Sequence, residues 1–195
     1  MTEKIELKQD LSGYITGQFL LAVPYMQDPR LERTVIYICG HDTNGAMGIV
    51  VNKYLGDLTL RGLLEYLNLP RESIKRDLPI HFGGPVDTGR GFVLHSDDFT
   101  HPGTVSLENH ISLTATIDVL QSIAEGKGPK DCLLAMGYMG WGPGQLDSEL
   151  HSNRWLQVEA DPKILFHTPI EKKWELSMSK LGVTPEALSE EVGQA

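Results

Sequence analysis

The stretch Cys132–Leu150, CLLAMGYMGWGPGQLDSEL, reads as a strand that passes through glycines into a helix. Cys132–Tyr138 is a short apolar run of strand length, and Gly137–Gln145 (GYMGWGPGQ) follows as a glycine-rich loop. Pro143 then opens a helix over Pro143–Leu150, where its missing N–H costs nothing because the first helical N–H groups have no intrahelical partner. In this reading Gly142 is the N-cap and Gln145 the third helical residue. Free N–H groups and the helix dipole at such a start attract a phosphate or carboxylate, with Trp141 as an apolar wall. The same glycines also serve as a plain tight turn.

Outward from this stretch, helical and strand patterns mix. Gly17–Val23, Thr34–Cys39 and Met47–Asn52 are apolar or β-branched runs, and Gly40–Gly45 between the last two carries a hairpin signal. Leu60, Leu63, Leu64 and Leu67 fall on one face of a helix with Thr59 as N-cap. Pro79–Phe82 and Gly91–His95 are strands flanking the turn Gly83-Gly84-Pro85. Ala115–Ala124 is a second helix, Trp155–Glu159 another strand, and Pro169–Leu181 a final helix packing Trp174, Leu176, Met178 and Leu181, with Lys172 and Lys173 on a solvated edge. Hairpin-like pairs mixed with helices favour α+β over a regular alternation. The 195 residues fit a single domain, with residues 1–10 and 185–195 expected to be flexible ends.

A net charge of −9 opposes the approach of a polyanion, so direct nucleic-acid binding is disfavoured. No run approaches the roughly 20 apolar residues that span a bilayer, and MTEKIELKQD lacks the apolar stretch of a secretory signal. The expected compartment is the cytosol. Cys39 and Cys132 sit in apolar runs and read as small hydrophobes.

The glycine loop ends in no Gly-Lys-Ser/Thr, and its GxGxG lacks the later glycine of a dinucleotide fingerprint, so no cofactor is indicated. His41-Asp42 and His95-Ser96-Asp97-Asp98 lack metal-ligand spacing, and no metal is expected. No GxSxG or Cys–His context marks a nucleophile, and no residue is assigned as catalytic. Thr59–Arg76 can be forced into a helix-turn-helix only with a second helix barely six residues long, and one helix followed by a loop fits better.

GQFLLAVPYMQDPRLERTVIYIC, HDTNGAMGIVVNK, HFGGPVDTGRGFVLH, GYMGWGPGQLDSEL and the closing LGVTPEALSEEVGQA together resemble the AlgH/YqgE family of bacterial proteins. Met139 and Gln194 depart from its usual residues. The resemblance implies an α+β fold with a central mixed, partly barrel-like β-sheet surrounded by helices. It implies no established reaction, although a transcriptional-regulator label travels with the family. The leading expectation is a non-enzymatic regulatory or interaction protein with an unknown protein partner. The alternative is a binder or hydrolase of a phosphate-bearing ligand held where the two glycine loops converge. That site would comprise Gly83, Gly84, Arg90, Trp141, Gly142, Gly144 and Gln145, with His81 helping to orient the ligand and Asp97 as base.

Overall fold

The computed structural model describes residues 13–72 and 74–182. The expected flexible ends and the closing LGVTPEALSEEVGQA motif from Val183 onward lie outside the described residues. Among the described residues, ten strands and five helices follow in chain order: β1 (Gln18–Ala22), β2 (Val35–Asp42), β3 (Gly45–Val50), β4 (Tyr54–Thr59), α1 (Leu60–Tyr66), β5 (Pro79–Phe82), β6 (Val86–Ser96), β7 (Val105–Ser106), β8 (Ile111–Thr114), α2 (Asp118–Ala124), β9 (Cys132–Trp141), α3 (Gln145–His151), β10 (Trp155–Glu159), α4 (Pro162–His167) and α5 (Ile170–Ser179).

The sheet order is β10-β1-β2-β3-β9-β6-β8-β7, with β4 and β5 branching off β9. β9 is the organising strand. Along one edge its first half pairs in parallel with β5 (Ile80 opposite Leu134) and its second half pairs with β3 (Ala46 opposite Trp141). Its other edge carries β6. The β5–β9 pair is the parallel exception among otherwise antiparallel ladders, which makes the sheet mixed.

Residues from strands far apart in this order share one core. Phe19 and Leu21 of β1, Tyr37 of β2, Phe92 and Leu94 of β6, Ile111 of β8 and Ala135 of β9 form a single buried cluster. A flat sheet cannot bring these together; the sheet is curled into a half-barrel whose concave face is filled by side chains. The Tyr37 hydroxyl donates to the Glu108 carbonyl (3.5 Å) and the Asn109 amide to the Gly17 carbonyl (3.3 Å), drawing the β7–β8 turn towards β1 and β2. Leu165 of α4 and Trp174 and Met178 of α5 join the same core.

The convex face is covered in two places. Leu146 and Leu150 of α3 pack on Leu20, Ile36 and Ile38. Leu60 and Leu64 of α1 and Val119 and Ile123 of α2 pack on Ile80, Val93 and Leu134. No helix among the described residues is long and apolar enough to cross a membrane.

Several expectations need correction. β9 runs three residues further than Tyr138, to Trp141, because β3 supplies ladder partners to the glycine segment. α3 begins at Gln145, with Gly144 rather than Gly142 as N-cap. Between α1 and β5 the reading of one helix followed by a loop agrees with the structure, since the described residues there form no second helix. On α5, Leu176 is exposed, and Lys173 is buried instead of solvated.

Candidate functional site

The two glycine segments do converge, but as packed backbone. Gly83 N–H donates to the Met136 carbonyl at 2.8 Å, and Val50 N–H to the Gly83 carbonyl at 2.9 Å. A Cβ on Gly83 would stand 2.3 Å from the Gly137 carbonyl oxygen, one on Gly84 2.1 Å from the Tyr138 carbonyl carbon, and one on Gly137 2.3 Å from the Gly84 oxygen. Gly84 (φ 153°) and Gly137 (φ 74°) also hold left-handed backbone. Gly83 and Gly84 therefore serve strand crossing, and main chain fills the space a ligand between them would need.

The start of α3 is occupied by the chain itself. Gly142 N–H donates to Gln145 Oε1 (3.0 Å), and Gln145 Nε2 to Glu149 Oε1 (3.1 Å). The indole N–H groups of Trp141 and Trp155 both donate to Glu149 Oε2, at 3.0 and 2.8 Å. Gly144 sits at φ 68° in open space, as a left-handed turn residue. Gly142, Gly144 and Gln145 thus build a self-capped turn, and the anion cradle expected from the spacing is replaced by a Gln–Glu–Trp network.

Two expected residues, Arg90 and Trp141, do meet in an open space. A cleft of about 770 Å³ lies at one mouth of the half-barrel, bounded by the β2–β3 hairpin, β6, β8 and the end of β9. Its floor is apolar: Met47, Phe92, Leu113, Ala115 and Tyr138. β6 leaves the sheet irregularly between Val86 and Gly91, and this exposed arm carries Arg90 over the cleft. The Arg90 guanidinium lies 5.2 Å from the Phe92 ring centroid and has no ion pair or hydrogen bond among the described residues. His41 flanks the cleft: its Nδ1 accepts from Ile15 N–H (3.3 Å), so Nε2 carries the proton and faces Asp147 Oδ2 at 3.4 Å.

The remaining chemistry-bearing residues are engaged elsewhere. His95 is fully buried, with Nδ1 on the Ser96 carbonyl and Nε2 on Thr114 Oγ1, both at 2.8 Å; burial lowers its pKa. Ser96 Oγ donates to Asp98 (2.5 Å), which holds that carboxyl below its usual range. Asp97, expected as a base, pairs with His110 on the surface at 2.7 Å and does not border the cleft. Cys39 and Cys132 are free thiols; burial pushes Cys132 up to about 11 and Cys39 higher still, away from thiolate chemistry. Among the described residues, no three His, Cys, Asp or Glu side chains group as metal ligands.

One buried pair escaped the sequence reading. His81 was grouped with Arg90, yet it lines a different pocket, with Lys173. Lys173 is 3% exposed, and its ammonium donates to the carbonyls of Val51 (2.9 Å) and Leu165 (2.7 Å). Burial lowers its pKa to about 8. Burial, followed by the Lys173 charge, lowers His81 to about 4. The signal was present in the helical spacing: Lys173 lies beside Trp174 and one turn before Ser177 on the buried face of α5.

Comparison with known proteins agrees with this architecture. The AlgH-like family model matches residues 19–186. A UPF0301 protein of Rhodospirillum rubrum is 47% identical over 189 residues, covering 97% of this chain and 98% of its own. A UPF0301 protein of Cereibacter sphaeroides is 45% identical, over 93% and 99%. The solution structure of AlgH from Pseudomonas aeruginosa superposes with a TM-score of 0.77 at 41% identity, covering 96% of this chain and 98% of that one. A crystal structure from Corynebacterium diphtheriae, 18% identical with a TM-score of 0.64 over 84% and 85%, shares the fold alone. With the family model matching residues 19–186 and the fold shared over nearly the full length, the chain belongs to the AlgH-like family.

Proposed function

We propose that the protein is a cytosolic regulatory or interaction protein that works by binding, and that its recognition element is the half-barrel mouth. The ligand class is an anion, carboxylate or phosphate, on an apolar body. The observation that carries this reading is Arg90: a cation with no acidic partner among the described residues, held over an apolar floor in a cleft of about 770 Å³. That volume is in the range of small-molecule sites, and barrel mouths are a usual place for them. Apolar contacts would supply affinity, and the guanidinium would fix orientation through paired N–H donors. A protein partner would read the rim, where the Asp42–Gly45 turn changes surroundings on ligand entry. The engaged states of Ser96, His95 and Asp97, and the raised thiol pKa values, support binding over covalent turnover. The free thiols suit a reducing compartment.

The test is thermal stability against a panel of medium-chain carboxylates and nucleoside monophosphates. A true ligand at a hundredfold excess over its Kd should stabilise by about 2.7 kcal/mol. Arg90→Ala should weaken it roughly tenfold or more, as expected for a charge-assisted hydrogen bond. A panel without any stabilising compound, on well-folded protein, would remove the basis for this reading.

A further inference from the structure

The pocket beneath the first turn of α5 has an unusual balance of groups. It encloses about 160 Å³ and is bordered by Arg76, His81 and Lys173, with no carboxylate among its described lining residues. At the liquid volume of water this holds about five molecules, enough for a phosphate ion and too little for a nucleotide. It shares no lining residue with the Arg90 cleft.

The hydrogen bonds of the two buried side chains define what the space would accept. An ammonium has three N–H groups, and Lys173 gives two to the Val51 and Leu165 carbonyls. The third has no acceptor among the described residues. His81 is 6% exposed, and its Nδ1 meets the Leu134 carbonyl at 3.1 Å. A carbonyl only accepts, so Nδ1 carries the ring proton and Nε2 is a bare lone pair, without a hydrogen-bond partner among the described residues. The lowered pKa of His81 keeps the ring in that neutral form. Arg76, which donates from Nη1 to the Lys130 carbonyl, stands at the rim, and the positive end of α5 borders the same space.

We propose that this pocket binds a small protonated oxyanion, for which hydrogenphosphate is the fitting species. Its oxygens accept from Lys173 and Arg76 while its hydroxyl donates to His81 Nε2. Sulfate offers acceptors alone at neutral pH and leaves the His81 lone pair unmatched. The site therefore discriminates phosphate from sulfate by a hydrogen bond to a neutral imidazole. It does not rest on the Arg90 cleft, and either can fail without the other.

The experiment is a titration with inorganic phosphate, then sulfate, at constant ionic strength in chloride. It is read by calorimetry and by the side-chain nitrogen resonances of the histidines. Saturable phosphate binding that shifts His81 Nε2, with sulfate roughly tenfold weaker for the lost hydrogen bond, is the expected result. Arg76→Gln, a rim change that leaves the buried network intact, should weaken phosphate binding several-fold, and Lys173→Met should abolish it. The proposal is overturned by any one of three results: no saturable shift at His81, sulfate binding as well as phosphate, or phosphate binding unchanged in Arg76→Gln. Since the wild-type and Arg76→Gln readings suffice, a Lys173→Met chain that does not fold leaves the test intact.

Discussion

Gly84 and Gly137 are demanded by backbone that approaches within van der Waals contact, whereas Gly144 is demanded only by its own left-handed φ. These two causes separate experimentally. Gly84→Ala and Gly137→Ala combine overpacking against main chain with positive-φ strain and should each cost about 2–4 kcal/mol. Gly144→Ala, in open space, should cost about 1–2 kcal/mol. Urea denaturation of the three variants ranks them directly, and equal costs would refute the assignment. At this scale the sequence marked the glycines, but not their reasons, because a close approach depends on the strand that lies opposite. His81 is a second case. Its folded pKa, about 4, lies below the ordinary 6.5, so between those values the unfolded chain binds the proton and the folded one does not. Stability from this group is then complete above pH 6.5 and falls as pH drops to 4, by about 3 kcal/mol in all. Lys173 behaves in the same sense at higher pH: stability should rise between about pH 8 and 10.5 as its buried charge is relieved. Denaturation midpoints across pH, with His81→Phe flattening the acid limb, check the sign; an unchanged limb would contradict it.

Among the elements, those with a self-contained signal were legible. β1, the β2–β3 hairpin, β5, β10 and α1 with its Thr59 cap stand where alternation, apolar runs and turn residues put them. Elements that depend on a distant partner were not. Met139–Trp141 reads as loop because glycine is a poor strand former, and the pairing of Ala46, Met47 and Gly48 with it makes it strand. β7 has two residues and is too short to show a period, and β4 is broken by Gly56 at φ 55°. α4 has six residues, though Asp161 capping Lys163 N–H ahead of Pro162 was a usable start signal. α3 is fastened chiefly through Glu149, whose carboxylate receives two indole N–H groups. Glu149→Ala leaves both indoles unsatisfied and should cost about 2–3 kcal/mol, with Glu149→Gln costing less. Chemical denaturation followed by tryptophan fluorescence measures this, and a neutral Glu149→Ala would show that α3 is held by Leu146 and Leu150 alone.

On the scale of the whole molecule, curling the sheet makes three separate volumes: a filled concave core, an open mouth under Arg90, and the basic pocket below α5. Arg90 and Phe92 lie two residues apart on β6, but nothing local in the sequence joins them to Leu113 and Tyr138, which belong to two further strands that meet β6 only when the half-barrel forms. This is why the candidate site kept Arg90 and Trp141 while losing its glycines. With a net charge of −9 over the whole chain, the anion binding proposed for the mouth rests on the local cation Arg90. The mouth is proposed to bind an anion with an apolar body through Arg90. The most direct test is the affinity of 1-anilinonaphthalene-8-sulfonate, an aromatic sulfonate of that chemistry, for wild-type, Arg90→Ala and Lys173→Met protein. Saturable one-site binding that weakens roughly tenfold in Arg90→Ala and is unaltered in folded Lys173→Met is the predicted result. Equal binding in wild-type and Arg90→Ala protein would rule out Arg90 as the anion's anchor.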